Sequence, residues 1–148
     1  NNFVYTAVKK KKLTLFEPHF RRNFIHVRDV VNAIIFTMKN FNKLKNNVYN
    51  LGLSSANISK IMLAKKIKKK YKKLKIKIVT NRNDPDKRDY FVSNKKIEKK
   101  GFKAKISLEE RISELIQIFS NDKTKVINKK VIVEDGRELL REVTFKHE

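Results

Sequence analysis

Hydrophobic positions along this chain come in short clusters that alternate between strand and helix periods. Residues 3–10 read as the last turns of a helix, closing on lysines that suit the negative end of its dipole. Leu13-Thr14-Leu15-Phe16 alternates faces as a short strand, and a loop around Pro18 follows. Arg22 precedes a predicted strand over residues 24–27, and Asp29 is the expected cap of a helix carrying Val30, Ala33, Ile34 and Met38 to about Asn40. After a polar loop, residues 48–51 read as a buried strand closed by Gly52, which tolerates a turn conformation.

Ser59 is a natural cap for a lysine-rich helix reaching about Lys73, with Ile61, Ala64 or Met62, Ile67, Tyr71 and Leu74 at helical spacing. A strand over residues 76–79 and a polar loop over 80–89 come next, then a short helix over 94–100 stopped by Gly101. Ser107-Leu108-Glu109-Glu110 is a capping box, and Leu108, Ile112, Leu115, Ile116 and Phe119 form the stripe of the helix it opens. The character changes near Ser120. Residues 1–120 read as one unit and 121–148 as an unassigned tail, in which Asp135-Gly136 is a hairpin turn signal. A helical turn over 137–143 is the alternative there.

With 148 residues and 40% hydrophobic content, the chain has a globular composition and the length of one domain. No apolar run approaches the roughly 20 residues that span a bilayer, and no signal-peptide pattern is visible, so no membrane partner and a cytoplasmic location are expected. The chain opens on Asn1 rather than methionine, and further sequence upstream is expected. The absence of cysteine excludes disulfides and thiolate metal sites, and three scattered histidines suggest no metal site. No Gly-x-Ser-x-Gly elbow supports serine hydrolysis. A net charge of +22 raises a second reading, a stand-alone basic module for nucleic acid or another polyanion. Lysine far outnumbers arginine, however, and Ile and Asn are abundant too, a joint excess that an A- and T-rich genome would produce unaided.

An ordered series of pieces carries a family resemblance over about four fifths of the chain. Arg22-Asn23-Phe24-Ile25-His26-Val27-Arg28-Asp29 resembles the signature Arg-Asp/Asn-aromatic-Ile/Val-His-Val-x-Asp of NAD-dependent epimerases and dehydratases, which are extended short-chain dehydrogenase/reductases. Residues 13–17 resemble the strand preceding that arginine, and Val48-Tyr49-Asn50-Leu51-Gly52 resembles the family's Val-Tyr-Asn-Val/Leu-Gly. Residues 84–90 resemble the late loop that returns an arginine to the substrate; residues 96–110 resemble the ending of a short helix, Gly-Phe and a capped helix.

The resemblance implies an α/β fold, the C-terminal substrate domain of such an enzyme, with short mixed strands, four or five helices and little of the Rossmann half. The parent enzyme would oxidise a sugar-ring carbon through NAD(P), then epimerise or dehydrate. Arg22 and Arg88 would clamp the diphosphate of a nucleotide sugar, with Arg82 an alternative in the same loop, because guanidinium forks match phosphate oxygens. Asn2 corresponds to a family asparagine near the phosphates; Leu15 and Phe16 fall where the nucleobase rests, or in the core. His26, Asp29, Tyr49 and Asn50 are read as structural. The family's Gly-rich dinucleotide turn and Tyr-x-x-x-Lys pair are missing, since Tyr71 with Lys75 lacks the family context. The chain alone is therefore expected to hold no NAD(P) and to supply no catalytic residue. Its expected partners are a nucleotide sugar and a missing Rossmann half or a homodimer mate. A degenerate fragment without activity is a third reading.

Overall fold

The computed structural model describes residues 1–80, 88–121, 133–134 and 137–138. In order these form α1 (Asn2–Lys10), β1 (Lys12–Phe16), β2 (Arg21–Asn23), α2 (Val27–Lys39), α3 (Phe41–Leu44), a 3-10 turn (Ser54–Ala56), β3 (Asn57–Ser59) and α4 (Lys60–Lys70). β4 (Lys75–Val79), α5 (Lys95–Glu98), α6 (Leu108–Asn121), β5 (Val133–Glu134) and β6 (Arg137–Glu138) complete the series. The class is α/β as expected, although α3 and α5 are single turns.

The strands form three separate pairs rather than one sheet. β1 and β4 run parallel, from Lys12 opposite Lys75 to Phe16 opposite Val79. β2 and β3 are antiparallel, with Arg22 opposite Ile58, and β5 pairs antiparallel with β6. The main core gathers Val4, Ala7 and Val8 of α1, Leu13 and Leu15 of β1, Leu63, Ala64 and Ile67 of α4, and Ile112 and Leu115 of α6. Leu13, Leu15, Ala64, Ile67, Ile112 and Leu115 are at the helical or alternating positions anticipated for them, whereas Leu63 was not among those named for its helix, and full burial of a Leu or Ile contributes roughly 1.5–3 kcal/mol. Ala7 and Ala64 are completely buried. Their small side chains suit close packing among α1, α4 and α6. A satellite cluster of Ala33, Ile97 and Phe102 joins α2 to the α5 region.

The capping chemistry holds for two helices. Ser59 Oγ accepts from the Met62 amide at 3.3 Å. At α6, Ser107 Oγ accepts from the Glu110 amide and Glu110 accepts from the Ser107 amide, at 3.1 and 2.7 Å. α4 ends at Lys70, earlier than expected, and Tyr71 turns the chain by donating its amide to the Ile67 carbonyl.

Three expectations are corrected. The strand lies over Arg21–Asn23 rather than 24–27, so Arg22 sits within a strand whose partner is the short β3. The cap of α2 is His26, whose Nδ1 accepts from the Arg28 amide at 3.0 Å. Asp29 lies inside the first turn and accepts instead from the amides of Lys105 and Ile106, tying the segment before α6 to α2. Residues 48–51 form no strand, and Val48 is 84% exposed. Gly52 is required there by a close approach: a Cβ would fall 1.6 Å from Asn23 Oδ1. Gly101, at φ +102°, does serve as the left-handed stop after α5.

Candidate functional site

The arginine of the signature is held at the meeting of β2, β3 and the segment of residues 88–92. The backbone amide of Arg21 donates to Asp89 Oδ1 at 2.7 Å, and its guanidinium reaches the same carboxylate through Nε at 3.1 Å. This pairing holds the Asp89 carboxyl below the usual carboxylate range. Next to it, the Arg22 guanidinium lies over the Tyr90 ring, 5.3 Å from the centroid, and donates to the Arg21 carbonyl. Asn57 of β3 completes the seam: its Oδ1 accepts from the Val92 amide at 2.9 Å and its Nδ2 donates to the Val92 carbonyl. Three successive contacts thus bring the chain carrying Arg88 alongside the strand carrying Arg22.

Other anticipated site residues lie elsewhere or in mixed settings. Asn2 is exposed on α1, where its Oδ1 accepts from Thr6. Leu15 is 1% exposed and belongs to the core. Phe16 is half-buried at the end of β1, and its carbonyl accepts from the buried Lys60 ammonium. Arg82 falls outside the described residues. Lys60, Arg21 and Tyr90 were not singled out from sequence. Lys60 is 8% exposed with its ammonium 5.2 Å from the Phe20 ring centroid, and nothing in a lysine-rich helix distinguishes it beforehand.

His26, read from sequence as structural, is the cap of α2. It is buried, and the Arg28 amide pointing at Nδ1 places the ring proton on Nε2, which donates to Glu114 at 2.8 Å. Arg28 and Arg111 also reach Glu114, at 2.9 and 3.0 Å. Hydrogen bonds from His26, then Arg111, hold the Glu114 carboxyl down at about 2, well below its ordinary 4.5. A depressed carboxylate stabilises the fold above its unfolded-state pKa and loses that contribution as pH falls through its folded value. The Glu114→Gln variant is therefore expected to unfold at a lower urea midpoint at neutral pH. It should also show a flatter decline than the parent between about pH 4.5 and 2. Parallel acid limbs in urea titrations across that window would contradict this.

Neither described glycine makes the strand-to-helix turn that receives a dinucleotide pyrophosphate, since Gly52 packs on Asn23 and Gly101 ends α5. No helix among the described residues is long and apolar enough to cross a membrane, and they contain no cluster of three metal-ligating side chains.

Residues 2–52 match the NAD dependent epimerase/dehydratase family. The fold is similar to that of dTDP-glucose 4,6-dehydratase from Bacillus anthracis in complex with NAD, with a TM-score of 0.63 at 23% identity, covering 82% of this chain and 38% of that one. GDP-mannoheptose C4 reductase from Campylobacter jejuni with NADP bound gives 0.60 at 26% identity, covering 77% and 36%. A GDP-D-glycero-L-gluco-heptose synthase from the same organism, in the presence of NADPH, gives 0.60 at 25% identity, covering 77% and 34%. The chain therefore spans little more than a third of each of these proteins. The arginine of β2, the match over residues 2–52 and the fold that continues beyond it make the chain similar to the NAD dependent epimerase/dehydratase family.

Proposed function

We propose that this chain is the substrate-recognition part of a nucleotide-sugar epimerase or dehydratase, and that Arg22 and Arg88 hold the nucleoside diphosphate. The observation that carries this reading is the seam of Arg21–Asp89, Arg22–Tyr90 and Asn57–Val92 contacts, which places Arg88 beside β2. Two guanidinium groups on adjoining segments supply planar donors and two positive charges to a diphosphate. Tyr90 supports Arg22 from one side and limits its freedom. The names of the similar Campylobacter and Bacillus proteins point to GDP- and dTDP-linked sugars as the first ligands to examine.

NAD(P) and the Tyr/Lys chemistry belong, in this proposal, to the remainder of the parent fold. One surface supports a partner of that kind. Val31, Ile34, Ile35 and Met38 of α2 are all exposed, Met38 at 71%, although they repeat at helical spacing. Such an unburied stripe on a 13-residue helix suits an apolar partner surface.

Calorimetric titration of the chain with GDP and dTDP tests the recognition role. Binding of one of them is expected, and Arg22→Ala should weaken it about tenfold or more, the worth of a charge-assisted pair. If a chain that is folded by circular dichroism takes up neither nucleotide, or if Arg22→Ala binds as the parent does, the reading fails.

A further inference from the structure

We infer that the lysine-lined end of the α1–β1–α4–β4 unit binds the phosphate backbone of nucleic acid, a role separate from the arginine seam. Two basic tracts far apart in sequence converge there. α1 ends in Lys9 and Lys10, Lys11 takes the left-handed cap position, and Lys12 opens β1. α4 ends in Lys68, Lys69 and Lys70, and Lys72, Lys73, Lys75 and Lys77 carry the chain through a turn into β4.

Specific bonds join the two tracts. The Lys75 amide donates to the Lys11 carbonyl at 2.9 Å, and the Tyr71 hydroxyl to the Val8 carbonyl at 3.4 Å. Lys12 stands opposite Lys75 in the parallel pair, and Thr14 opposite Lys77. All four of those side chains are exposed, whereas Leu13 and Leu15 between them face the core. The outer face of the strand pair is therefore lined by lysines, and it is continuous with the C-terminal ends of both helices.

Acidic compensation is sparse. No Asp or Glu occurs before Glu17 or between Asp29 and Asp84, so α1, β1, α4 and β4 carry none. Glu109 of α6 pairs with Lys66, nearer the middle of α4, and also acts on Lys70, so the acids of α6 offset the α4 side of the cluster in part. Helix C-termini favour a few cations locally. Two helices and two strands delivering lysines to one end exceed that need and create an extended positive field.

The chemistry favours nucleic acid over an anionic membrane. Lysine ammonium groups act as point charges on phosphates and require no base contacts. A membrane-surface helix would pair such charges with an apolar face to insert. Here the apolar face of α4, with Leu63, Ala64 and Ile67, is buried in the core. Of the exposed apolar residues of α4 and β4, Met62 lies in the first turn of the helix, away from the lysine end, and Ile78 shares the strand face of Leu15 rather than that of Lys75 and Lys77.

Fluorescence anisotropy of the whole chain with a labelled mixed-sequence DNA duplex of about 20 base pairs, across about 50–200 mM salt, tests the assignment. The parent should bind with a steep salt slope. Combining Lys12→Gln, Lys73→Gln, Lys75→Gln and Lys77→Gln should weaken binding about tenfold or more at the lowest salt and reduce the slope by about 2–4. A control combining Lys39→Gln, Lys43→Gln, Lys95→Gln and Lys99→Gln removes the same charge from exposed positions elsewhere and should keep most of the affinity. Equal loss in both sets would reduce the effect to net charge and overturn the inference, as would no binding by the parent. Uptake by phosphatidylserine-containing vesicles that the duplex fails to compete away would overturn it in favour of a membrane. The four-lysine variant should still take up GDP or dTDP as the parent does, which separates this result from that of the nucleotide titration.

Discussion

Asp29→Ala is expected to lower the unfolding free energy by about 2–4 kcal/mol, well beyond the roughly 1 kcal/mol of a typical helix-cap loss. Asp29 is 2% exposed, and its carboxylate accepts from the Ile106 amide at 2.9 Å and from the Lys105 amide at 3.2 Å. Alanine would leave those amides without their acceptor and remove the tie between α2 and the entry to α6. The residue's location inside the first turn of α2 adds a favourable dipole interaction that alanine also loses. Chemical denaturation gives the magnitude, and amide exchange at Lys105 and Ile106 gives the location, since protection there should fall first. A loss below about 0.5 kcal/mol, typical of a neutral surface change, would show that the carboxylate does not hold this junction.

Ile67→Ala should cost about 2–5 kcal/mol through lost transfer energy and a partly uncollapsed cavity. Ile67 is 0% exposed and lies in the cluster where α4 meets α1, α6 and β1. Four elements bound the site, so relaxation of one cannot close the space, and a value in the upper half of the range is expected. For a chain of this size each kcal/mol lowers the midpoint by roughly 3–4 °C, so thermal unfolding followed by circular dichroism should show a fall of roughly 10 °C or more. Ile67→Val, which keeps most of the volume, should cost only about 1 kcal/mol. Similar midpoints for the two variants would mean that α4 is not packed as described.

The contrast between these residues shows what local pattern can reveal. Ile67 was legible because helical spacing in a run of lysines identifies the buried face directly. The Ser107–Glu110 box was legible because its two bonds join residues three apart. Asp29 was misread because a capping acid and an acid in the first turn look alike in sequence, and the difference depends on amides at 105 and 106. Likewise, β2 and β3 are three residues each and exist through their mutual pairing, which leaves almost no periodic trace. Of the candidate site, the signature pointed to Arg22, while the Asp89, Tyr90 and Asn57 contacts that hold its surroundings are all long-range. Residues 48–51 failed as a strand because no neighbouring strand among the described residues pairs with them, however β-like their composition.

The parallel pairing of β1 with β4 also bears on how the chain reaches this structure. Lys12 and Lys75 face each other only after everything between them has been enclosed, including β2, α2, β3 and α4. Closing so long a loop costs entropy before the first ladder bond can return any of it. Packing of α4 on α1 and β1, which closes a somewhat shorter loop, can gather apolar surface first and shorten that search. The two strands then zip late, in a register already set by Leu13 and Leu15 reaching the helices, and the slow step of folding becomes the meeting of distant segments rather than the winding of any one of them.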